Sequence, residues 1–348
     1  MTTDPLTEFS TDAETAFEPL DSEEAKRTHG VGPWRLAWRR LRRNKTALAF
    51  GILFLVLIAI ALLAPVYADH VAHTTQNRQR IADTLKIGGK EIQVVSFDGV
   101  PTGPTWHSEY FLGADGNGRD VMVRLLYGAR NSLFIGIVAT IITTFLAVII
   151  GTLAGYFRGA TDAVLSRALD VLWAFPVLLL GVALGVALAT GGLHIGPIKI
   201  ENNSIWIPTL IIGVVNVVYL ARPVRGQVLS LREREFVEAA RAQGYGAFRI
   251  MFSELMPNLL STVLVFFPIL LANAVLLEAA LSFLGAGVQP PNPSWGTMIS
   301  DGLRFIVSAP LLTIAPGLML VLTVLSLNIF GEGVRDALDP RARVRLEH

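Results

Sequence analysis

Residues 235–257, EFVEAARAQGYGAFRIMFSELMP, form a polar interval between two strongly apolar segments. The first part contains good helix formers, and Gly244 is well placed to end that helix because glycine accepts the left-handed conformation of a C-cap. The second part repeats the helical period, with an apolar face at Phe248, Met251, Phe252 and Leu255. Pro257 closes the unit. The stretch predicts two short amphipathic helices at an angle, with exposed apolar faces typical of a docking site.

The composition is typical of a membrane protein. Of the 348 residues, 52% are hydrophobic and 16% are charged, whereas soluble domains contain about 25% charged residues. The absence of cysteine excludes disulfides, thiolate metal sites and a cysteine nucleophile. The net charge of +1 gives no indication of nucleic-acid binding, and none is expected.

Six segments are long and apolar enough to cross a bilayer, which takes about 20 residues of helix. The predicted spans are residues 46–68, 131–157, 168–191, 205–222, 258–285 and 310–331. Residues 223–257 then form the loop between the fourth and fifth spans. The sequence therefore predicts an all-α membrane protein with a membrane core at 131–334.

The basic residues predict the orientation of the spans. Twenty of the 29 lie before the first span, in the loop after the second, at the end of the fourth span (Arg222) and in the loop that follows it, or after the sixth span. Because basic residues concentrate in cytoplasmic loops, both termini and the 223–257 loop are predicted to be cytoplasmic. The loop at 69–130 is then extracytoplasmic, and its segment EIQVVSF is typical of a strand in a small subdomain.

The segments outside the core are assigned by composition. Residues 1–30 are predicted to be a disordered acidic tail, since the first 25 residues contain eight acids and no Lys or Arg. Residues 31–45 form a basic amphipathic helix with tryptophans on one side, expected at the inner bilayer interface. Residues 335–348 form a second cytoplasmic tail, whose ending RLEH is interpreted as a remnant of a histidine tag.

The 235–257 segment resembles the "EAA" loop of ABC-importer permeases, which is Glu-Ala-Ala, three residues, Gly, then a fixed interval to Pro. Residue type and spacing both match at Glu238, Ala239, Ala240, Gly244 and Pro257. Two positions depart from the pattern, because Glu254 stands where Ile is common and Met256 where Leu is common. In that family, the loop contains the helix that couples the permease to its ATPase. The resemblance therefore implies that the five matching residues, with Phe248, Met251 and Phe252, form an ATPase-coupling site.

Three further segments resemble dipeptide and oligopeptide permeases of the "C" type. They are FLGADGNGRDVMVRLLYGARNSL at 111–133, LLEAALSFLGAGVQPPNPSWGTMISDG at 276–302 and GEGVRDALDPR at 331–341. The resemblance implies a type I ABC-importer permease core with an extracytoplasmic loop insert. The insert at 69–110 is longer than is usual in that family.

The resemblance also implies a set of partners. These are a second permease subunit in a heterodimer, two ABC ATPase subunits, and an extracytoplasmic peptide-binding protein. ATP and Mg²⁺ would be bound by the ATPase subunits, since this chain has no P-loop sequence. The chain itself would be a non-catalytic permease of di- or oligopeptides in the bacterial inner membrane.

Polar residues inside predicted spans are candidates for the substrate pathway. They are Asn216, Asn273, Glu278 and Asn328. Acids within spans are costly and usually face the bundle interior or water, so Glu278 either lines the pathway or holds the segment after the fifth span. For the three asparagines, hydrogen bonding between helices is the alternative to a pathway role. No catalytic constellation and no metal site are expected.

Other functions are compatible with parts of the sequence. One alternative is that the machinery implied by the resemblance carries nickel or another small solute. A secondary transporter would show an inverted repeat and paired intramembrane charges, whereas only one acid lies well inside a span. A membrane enzyme would need a nucleophile, a base and an orienting group, and no such set is evident.

Overall fold

The computed structural model of the protein describes residues 33–87 and 90–338. The predicted acidic tail at 1–30 and the tag remnant therefore lie outside the described residues. Most of the described chain is helical, which confirms the predicted all-α class.

The elements are numbered here in chain order. The helices are α1 (Pro33–Arg43), α2 (Lys45–Leu62), α3 (Ala64–His70), α4 (Val121–Phe157), α5 (Gly159–Ala174), α6 (Val177–Gly191), α7 (Trp206–Val215), α8 (Val217–Leu231), α9 (Glu235–Ala242), α10 (Ala247–Arg249), α11 (Met256–Phe283), α12 (Trp295–Gly302) and α13 (Leu311–Leu338). A π-helical turn covers Ile250–Leu255 and a 3₁₀ turn covers Leu303–Phe305. The strands are β1 (Thr84–Ile87), β2 (Lys90–Gln93), β3 (Leu193–Ile195) and β4 (Ile198–Ile200).

Five described helical segments are long and apolar enough to cross a membrane. They are Lys45–Leu62, Val121–Phe157, Trp206–Leu231, Ala247–Phe283 and Leu311–Leu338. A sixth results if α5 and α6, which are bent by 86° relative to each other, are counted as one broken span.

The prediction of one continuous helix at 168–191 was wrong. The chain bends between α5 and α6 because Phe175 is extended, with φ −93° and ψ 135°. A residue before proline avoids the helical region, and Pro176 lacks the N–H that would continue the helix. With only 15 residues, α6 rises about 22 Å, which is less than the roughly 30 Å of hydrocarbon in a bilayer.

Other predicted span boundaries differ from the structure at their ends. Asp120 starts α4 well before residue 131, because its Oδ1 accepts a hydrogen bond of 3.0 Å from the backbone N–H of Val123. The first predicted span, 46–68, is divided at Leu63, after which α3 begins with Pro65 in its first turn. Helix α13 extends beyond residue 331 to Leu338. Apolar runs locate spans, whereas caps determine where helices begin and end.

Two small hairpins lie outside the helical core. In the first, β1 and β2 are antiparallel, with Leu85 opposite Ile92. The predicted strand EIQVVSF is therefore only partly a strand, continued by an isolated bridge between Val95 and Pro101. The sequence reasoning missed the second hairpin, β3–β4, whose turn contains Gly196.

Helix α4 is the centre of the described fold, and its most extensive helix–helix contact is with α8. Two glycines allow this contact. A Cβ on Gly151 would lie 2.7 Å from the carbonyl oxygen of Ala221, and one on Gly155 would lie 2.8 Å from the Cβ of Val228. Small residues four apart permit the close backbone approach that membrane helices use to associate.

We expect Gly151→Ala to destabilise the protein by about 1–3 kcal/mol, because the added methyl overpacks the contact between α4 and α8. The matched control is Gly226→Ala on α8, where a Cβ meets nothing within 4 Å. Removing that exposed helical glycine should leave stability unchanged or raise it by about 0.5–1 kcal/mol. Thermal unfolding in detergent measures both variants, and equal effects would contradict the packing assigned to Gly151.

Candidate functional site

The 235–257 segment begins with α9, which ends in a Schellman motif at Gly244. The residue has φ +81°, as the sequence predicts. The N–H of Gly244 donates to the carbonyl of Arg241 at 2.9 Å, and the N–H of Tyr245 donates to that of Ala240 at 3.1 Å. These two bonds satisfy carbonyls at the helix end. Because a Cβ at Gly244 would meet nothing within 4 Å, its backbone angle alone makes glycine favourable.

The second half of the segment differs from the prediction of a separate short helix closed by Pro257. Helix α10, the π-turn and α11 form one continuous helical segment, Ala247–Phe283. Proline is tolerated in a first helical turn but cannot donate to the carbonyl four residues earlier. The π-turn accommodates this, because the N–H of Met256 donates to Met251, five residues back.

The segment is anchored through a few buried side chains. Val237 and Ala240 of α9 are buried in one cluster with Met251 and Leu255 and with residues of α4 and α8. Glu238, Ala239 and Gly244 are exposed, as a docking surface requires. The expectation of a single exposed apolar face was wrong, because Met251 is buried while Phe248 and Phe252 are each 67% exposed.

Arginines hold the start of the segment against the end of α4. Arg158 donates to a carboxylate oxygen of Glu233, and Arg232 donates to the carbonyl of Tyr156. The Arg158 hydrogen bond holds the pKa of Glu233 below its usual value. The guanidinium groups of Arg232 and Arg241 also lie 5.9 and 5.8 Å from the Tyr156 ring centroid. The junction between α8 and α9 is therefore tied to α4 at several points.

Two of the predicted pathway residues share a cavity, and a third does not line it. Asn216 and Asn273 line a cavity of about 330 Å³ together with Tyr219 and apolar residues of α6 and α11. Asn216 is buried at the break between α7 and α8, whereas Asn273 is exposed. Asn328 is exposed on α13 and is not among the residues that line this cavity. The structure therefore brings together two of the three asparagines.

Next to this cavity, ion pairs connect α5 to α8. Arg225 donates to both carboxylate oxygens of Asp162, at 2.6 and 2.7 Å, and Arg222 donates to Asp170 at 2.9 Å. The guanidinium of Arg222 also lies 5.0 Å from the Trp173 ring centroid. The sequence reasoning missed this group, although the spacing of two aspartates on one helix and two arginines on another was visible. What the sequence could not show was that α5 lies against α8.

Glu278 is fully buried on α11 and does not line the cavity of Asn216 and Asn273. Its Oε1 accepts a 2.7 Å hydrogen bond from Ser282, whose hydroxyl in turn accepts a 3.0 Å bond from the N–H of Val288. Ser132 and Ser294 lie near the same carboxyl, but its Oε2 is buried without a hydrogen-bond partner among the described residues. Through Ser282, Glu278 thus joins α11 to the segment 284–294.

The segment after α11 is fixed by further contacts to α4. Asn131 Nδ2 donates to the carbonyl of Pro293 at 2.7 Å, and the N–H of Trp295 donates to Ser132 at 3.2 Å. A Cβ on Gly296 would lie 2.2 Å from the carbonyl oxygen of Ala279, so α12 lies directly against α11. Of the two predicted roles for Glu278, this geometry favours holding the segment.

The GADGNGRD motif forms a folded loop at the start of α4. Asp115 accepts hydrogen bonds of 2.9 Å from the backbone N–H groups of Asn117 and Arg119, and 2.6 Å from Arg119 Nε. The hydroxyl of Tyr110 donates to Gly118, and burial raises the pKa of Tyr110 to about 12. Burial also raises the pKa of Asp120, against the lowering effect of backbone bonds from Val123 and Tyr110. The motif is a structural cap for α4.

We expect Glu278→Ala to destabilise the protein by about 1–3 kcal/mol, because the buried hydroxyl of Ser282 loses its acceptor. Glu278→Gln keeps an acceptor oxygen and should destabilise the protein less than Glu278→Ala does. The control is Asn273→Ala on the same helix, which should change stability by less than about 0.5 kcal/mol because the side chain is exposed. Thermal unfolding and uptake are measured together. A Glu278→Ala protein of normal stability but altered uptake would contradict the holding role.

Sequence comparison identifies the family to which this architecture belongs. A family described as "Binding-protein-dependent transport system inner membrane component" matches residues 147–344, more than half of the chain. The chain belongs to this family. A second family, "N-terminal TM domain of oligopeptide transport permease C", matches residues 32–84. The predicted resemblance is thereby confirmed.

Three curated relatives match almost the whole chain. The dipeptide transport system permease protein DppC of Alkalihalophilus pseudofirmus is 36% identical, covering 94% of this chain and 96% of the relative. The glutathione transport system permease protein GsiD of Pectobacterium atrosepticum is 33% identical, with 93% and 95% covered. The oligopeptide transport system permease protein OppC of Bacillus subtilis is 34% identical, with 94% and 97% covered.

Among solved structures, the inward-facing MetNI methionine ABC transporter has a similar fold. Its matching chain has a TM-score of 0.50 and 18% identity, and the match covers 63% of this chain and 97% of that chain. At this identity the likeness supports the fold alone. It agrees with the predicted type I permease core.

Proposed function

We propose that this chain is one permease subunit of an ATP-driven importer of di- and oligopeptides. The observation that carries the proposal is the match, over almost the whole chain, to permeases named for dipeptide, oligopeptide and glutathione transport. The cavity at Asn216 and Asn273 suits such a cargo, because amide side chains both donate and accept hydrogen bonds with peptide groups. The chain itself carries no catalytic role in this proposal.

The partners in this proposal are those of a binding-protein-dependent importer. A second permease forms the other half of the pathway, and two ATPase subunits bind ATP and Mg²⁺. An external peptide-binding protein delivers cargo. The chain lies in the bacterial inner membrane with both termini cytoplasmic, as the distribution of basic residues indicates.

The ATPase subunits are proposed to dock on the exposed side of the 235–257 segment around Glu238, Ala239 and Gly244. Val237 and Ala240 attach that surface to α4 and α8. From Ala247 onward, the segment continues into α11 without a break. A displacement of the docked surface is therefore transmitted to the helix that carries Asn273 and Glu278. Differential contact with the ATPase in two states is what allows nucleotide to shift the permease between conformations.

The α5–α8 ion pairs are proposed to move with this change. Because Arg222 and Asp170 are each about half exposed, separating this pair costs little, as surface pairs contribute only about 0–1 kcal/mol each. The bidentate pair of Arg225 with Asp162 is less exposed and costs more to separate. Glu278, in contrast, is proposed to keep the outer segment 284–294 attached to α11 in both states.

Nickel or another small solute is the second candidate cargo. The described lining of the cavity offers amide, phenol and aliphatic groups, whereas nickel is bound well by imidazole and other nitrogen ligands. The cavity chemistry therefore favours peptide over metal.

We expect Gly244→Val to abolish uptake while membrane insertion stays normal. A β-branched residue at φ +81° is strained by about 1–2 kcal/mol. We expect this strain to displace the turn between α9 and α10, and with it the docking surface. The matched control is Gly246→Val, since Gly246 has φ −70° and open space around it. Glu238→Lys should also abolish uptake, by reversing the charge of the docking surface. Normal uptake by Gly244→Val would contradict the assignment of residues 235–257 as the ATPase docking segment.

We also expect the chain, purified in mild detergent from its native host, to retain its partners. Mass spectrometry should identify a second multi-span permease and ATPases with Walker motifs. The ligand captured by the co-purified binding protein then identifies the cargo. A chain that purifies alone or only with itself would contradict the importer assignment.

A further inference from the structure

The two ion pairs between α5 and α8 differ in how completely their charged groups are used. Arg225 donates through two nitrogens to both carboxylate oxygens of Asp162, at 2.6 and 2.7 Å. Ser166 donates to the same carboxylate at 2.9 Å. Arg222, in contrast, donates to Asp170 from one nitrogen to one oxygen, at 2.9 Å. Since a guanidinium donates from all of its nitrogens and a carboxylate accepts at both oxygens, this second pair keeps capacity for another molecule.

The two pairs also differ in exposure. The side chains of Arg222 and Asp170 are 42% and 51% exposed. Those of Arg225 and Asp162 are 33% and 19% exposed. Arg222 and Asp170 both line a cavity between α5 and α8. Because a half-exposed ion pair contributes little to stability, the exchange of its bond for bonds to a ligand with the same two charges is inexpensive.

An aromatic pair connects this ion pair to the cavity of Asn216 and Asn273. The guanidinium of Arg222 lies 5.0 Å from the ring centroid of Trp173, which lies 5.2 Å from that of Tyr219. Tyr219 in turn lines the cavity of the two asparagines. Stacking on Trp173 restricts the orientation of the guanidinium, which suits it to bind a carboxylate. The polar lining thus continues from two amides, through a phenol, to a pair of opposite charges.

The opposite charges of this pair define the ligand that fits it. A ligand with a single charge would be attracted by one member of the pair and repelled by the other, because the two groups lie 2.9 Å apart. A ligand that carries both an ammonium and a carboxylate group is attracted by both members. In a dipeptide, the charged termini are attached to Cα atoms about 3.8 Å apart, and each further extended residue adds about 3.3–3.6 Å. The pair therefore favours a short zwitterionic peptide.

We propose that Arg222 and Asp170 bind the charged termini of a short peptide, Arg222 pairing with the α-carboxylate and Asp170 with the α-ammonium group. The proposal rests on the proposed function, because it gives a cargo-binding role to residues beside the proposed pathway. Without peptide, the two side chains neutralise each other. The bidentate pair of Arg225 with Asp162 costs more to separate, and so holds α5 beside α8 during the exchange.

Competition against a photoreactive dipeptide tests this site. The probe is alanyl-p-benzoylphenylalanine, added to membranes that contain the whole transporter without its binding protein, so that selection by that protein does not enter. After irradiation, mass spectrometry locates the adduct on the chain. The competitors are the dipeptide Ala-Phe, its N-acetyl form and its C-terminal amide, and each capped form lacks one charge. We expect adducts on α5 or α8 and about tenfold better competition by Ala-Phe than by either capped form, because hydrogen bonds to a charged group are lost.

Two variants assign the termini to the two side chains. In Arg222→Gln, the preference for Ala-Phe over its amide should be lost, while the preference over the acetylated form remains. In Asp170→Asn, we expect the reverse. The matched control is Arg225→Gln, because Arg225 lines the same cavity but is already bonded to both oxygens of Asp162. This control should retain both preferences.

A purely structural role of the Arg222 pair would change the amount of adduct but not the ratio between competitors. The proposal is overturned if both variants keep both preferences, if Arg225→Gln loses them equally, or if the wild-type chain gives no adduct on α5 or α8. Uptake of radiolabelled Ala-Phe by cells with the wild-type transporter is measured separately. Normal uptake beside any of these results leaves the importer assignment standing, whereas a chain that neither takes up Ala-Phe nor retains ATPases contradicts the importer assignment itself.

Discussion

The close contact between α4 and α8 is the interaction on which the other parts of the structure depend. Gly151 and Gly155 make it possible, since any side chain there would meet the backbone or a valine of α8. Because α4 is 37 residues long, it also reaches both ends of the described fold. Its first residue follows the Asp120 cap, its Ser132 accepts a hydrogen bond from the N–H of Trp295, and the carbonyl of its Tyr156 accepts one from Arg232. A shift of α8 along α4 would therefore change contacts at both ends.

Much of this fold could be predicted because a bilayer imposes a simple rule. Backbone groups must be satisfied internally, so a span appears in sequence as about 20 apolar residues in a helix. The rule does not locate helix ends. A search for apolar runs stops at a charged residue such as Arg124. Helix α4 nevertheless includes Arg124, because the carboxylate of Asp115 lies 3.4 Å from its guanidinium and pairs with it. This pairing joins residues on either side of a helix start, and no periodicity reports it. The bend at Pro176 was accessible from sequence, since proline and the residue before it both disfavour a continuous helix.

Some features of the candidate site could likewise be predicted from the sequence, and others could not. Gly244 could be predicted, because a left-handed residue at a helix end is a local requirement. The burial of Met251 could not, because helical period identifies which residues share a face but not which neighbours that face meets. Pro257 shows a second limit. Proline ends helices and also occupies first turns, and only the π-turn before it, with a bond from Met256 to Met251, decides between these outcomes here. Met251 is thereby held in the core rather than at the surface.

Continuity from Ala247 to Phe283 has a mechanical consequence. A segment of 37 helical residues rises about 55 Å, more than the thickness of the hydrocarbon core. Its first turns lie at the proposed ATPase surface, and Glu278 lies near its other end. A displacement at Phe248 therefore reaches the outer segment directly unless the helix bends on the way. Two interior positions of this segment lack a backbone hydrogen bond, Pro257 after the π-turn and Pro268. A Cβ on Gly331 of α13 would lie 3.0 Å from Pro268. Since α13 supports the helix at Pro268, a motion that separates these two residues would let the inner end move without the outer end.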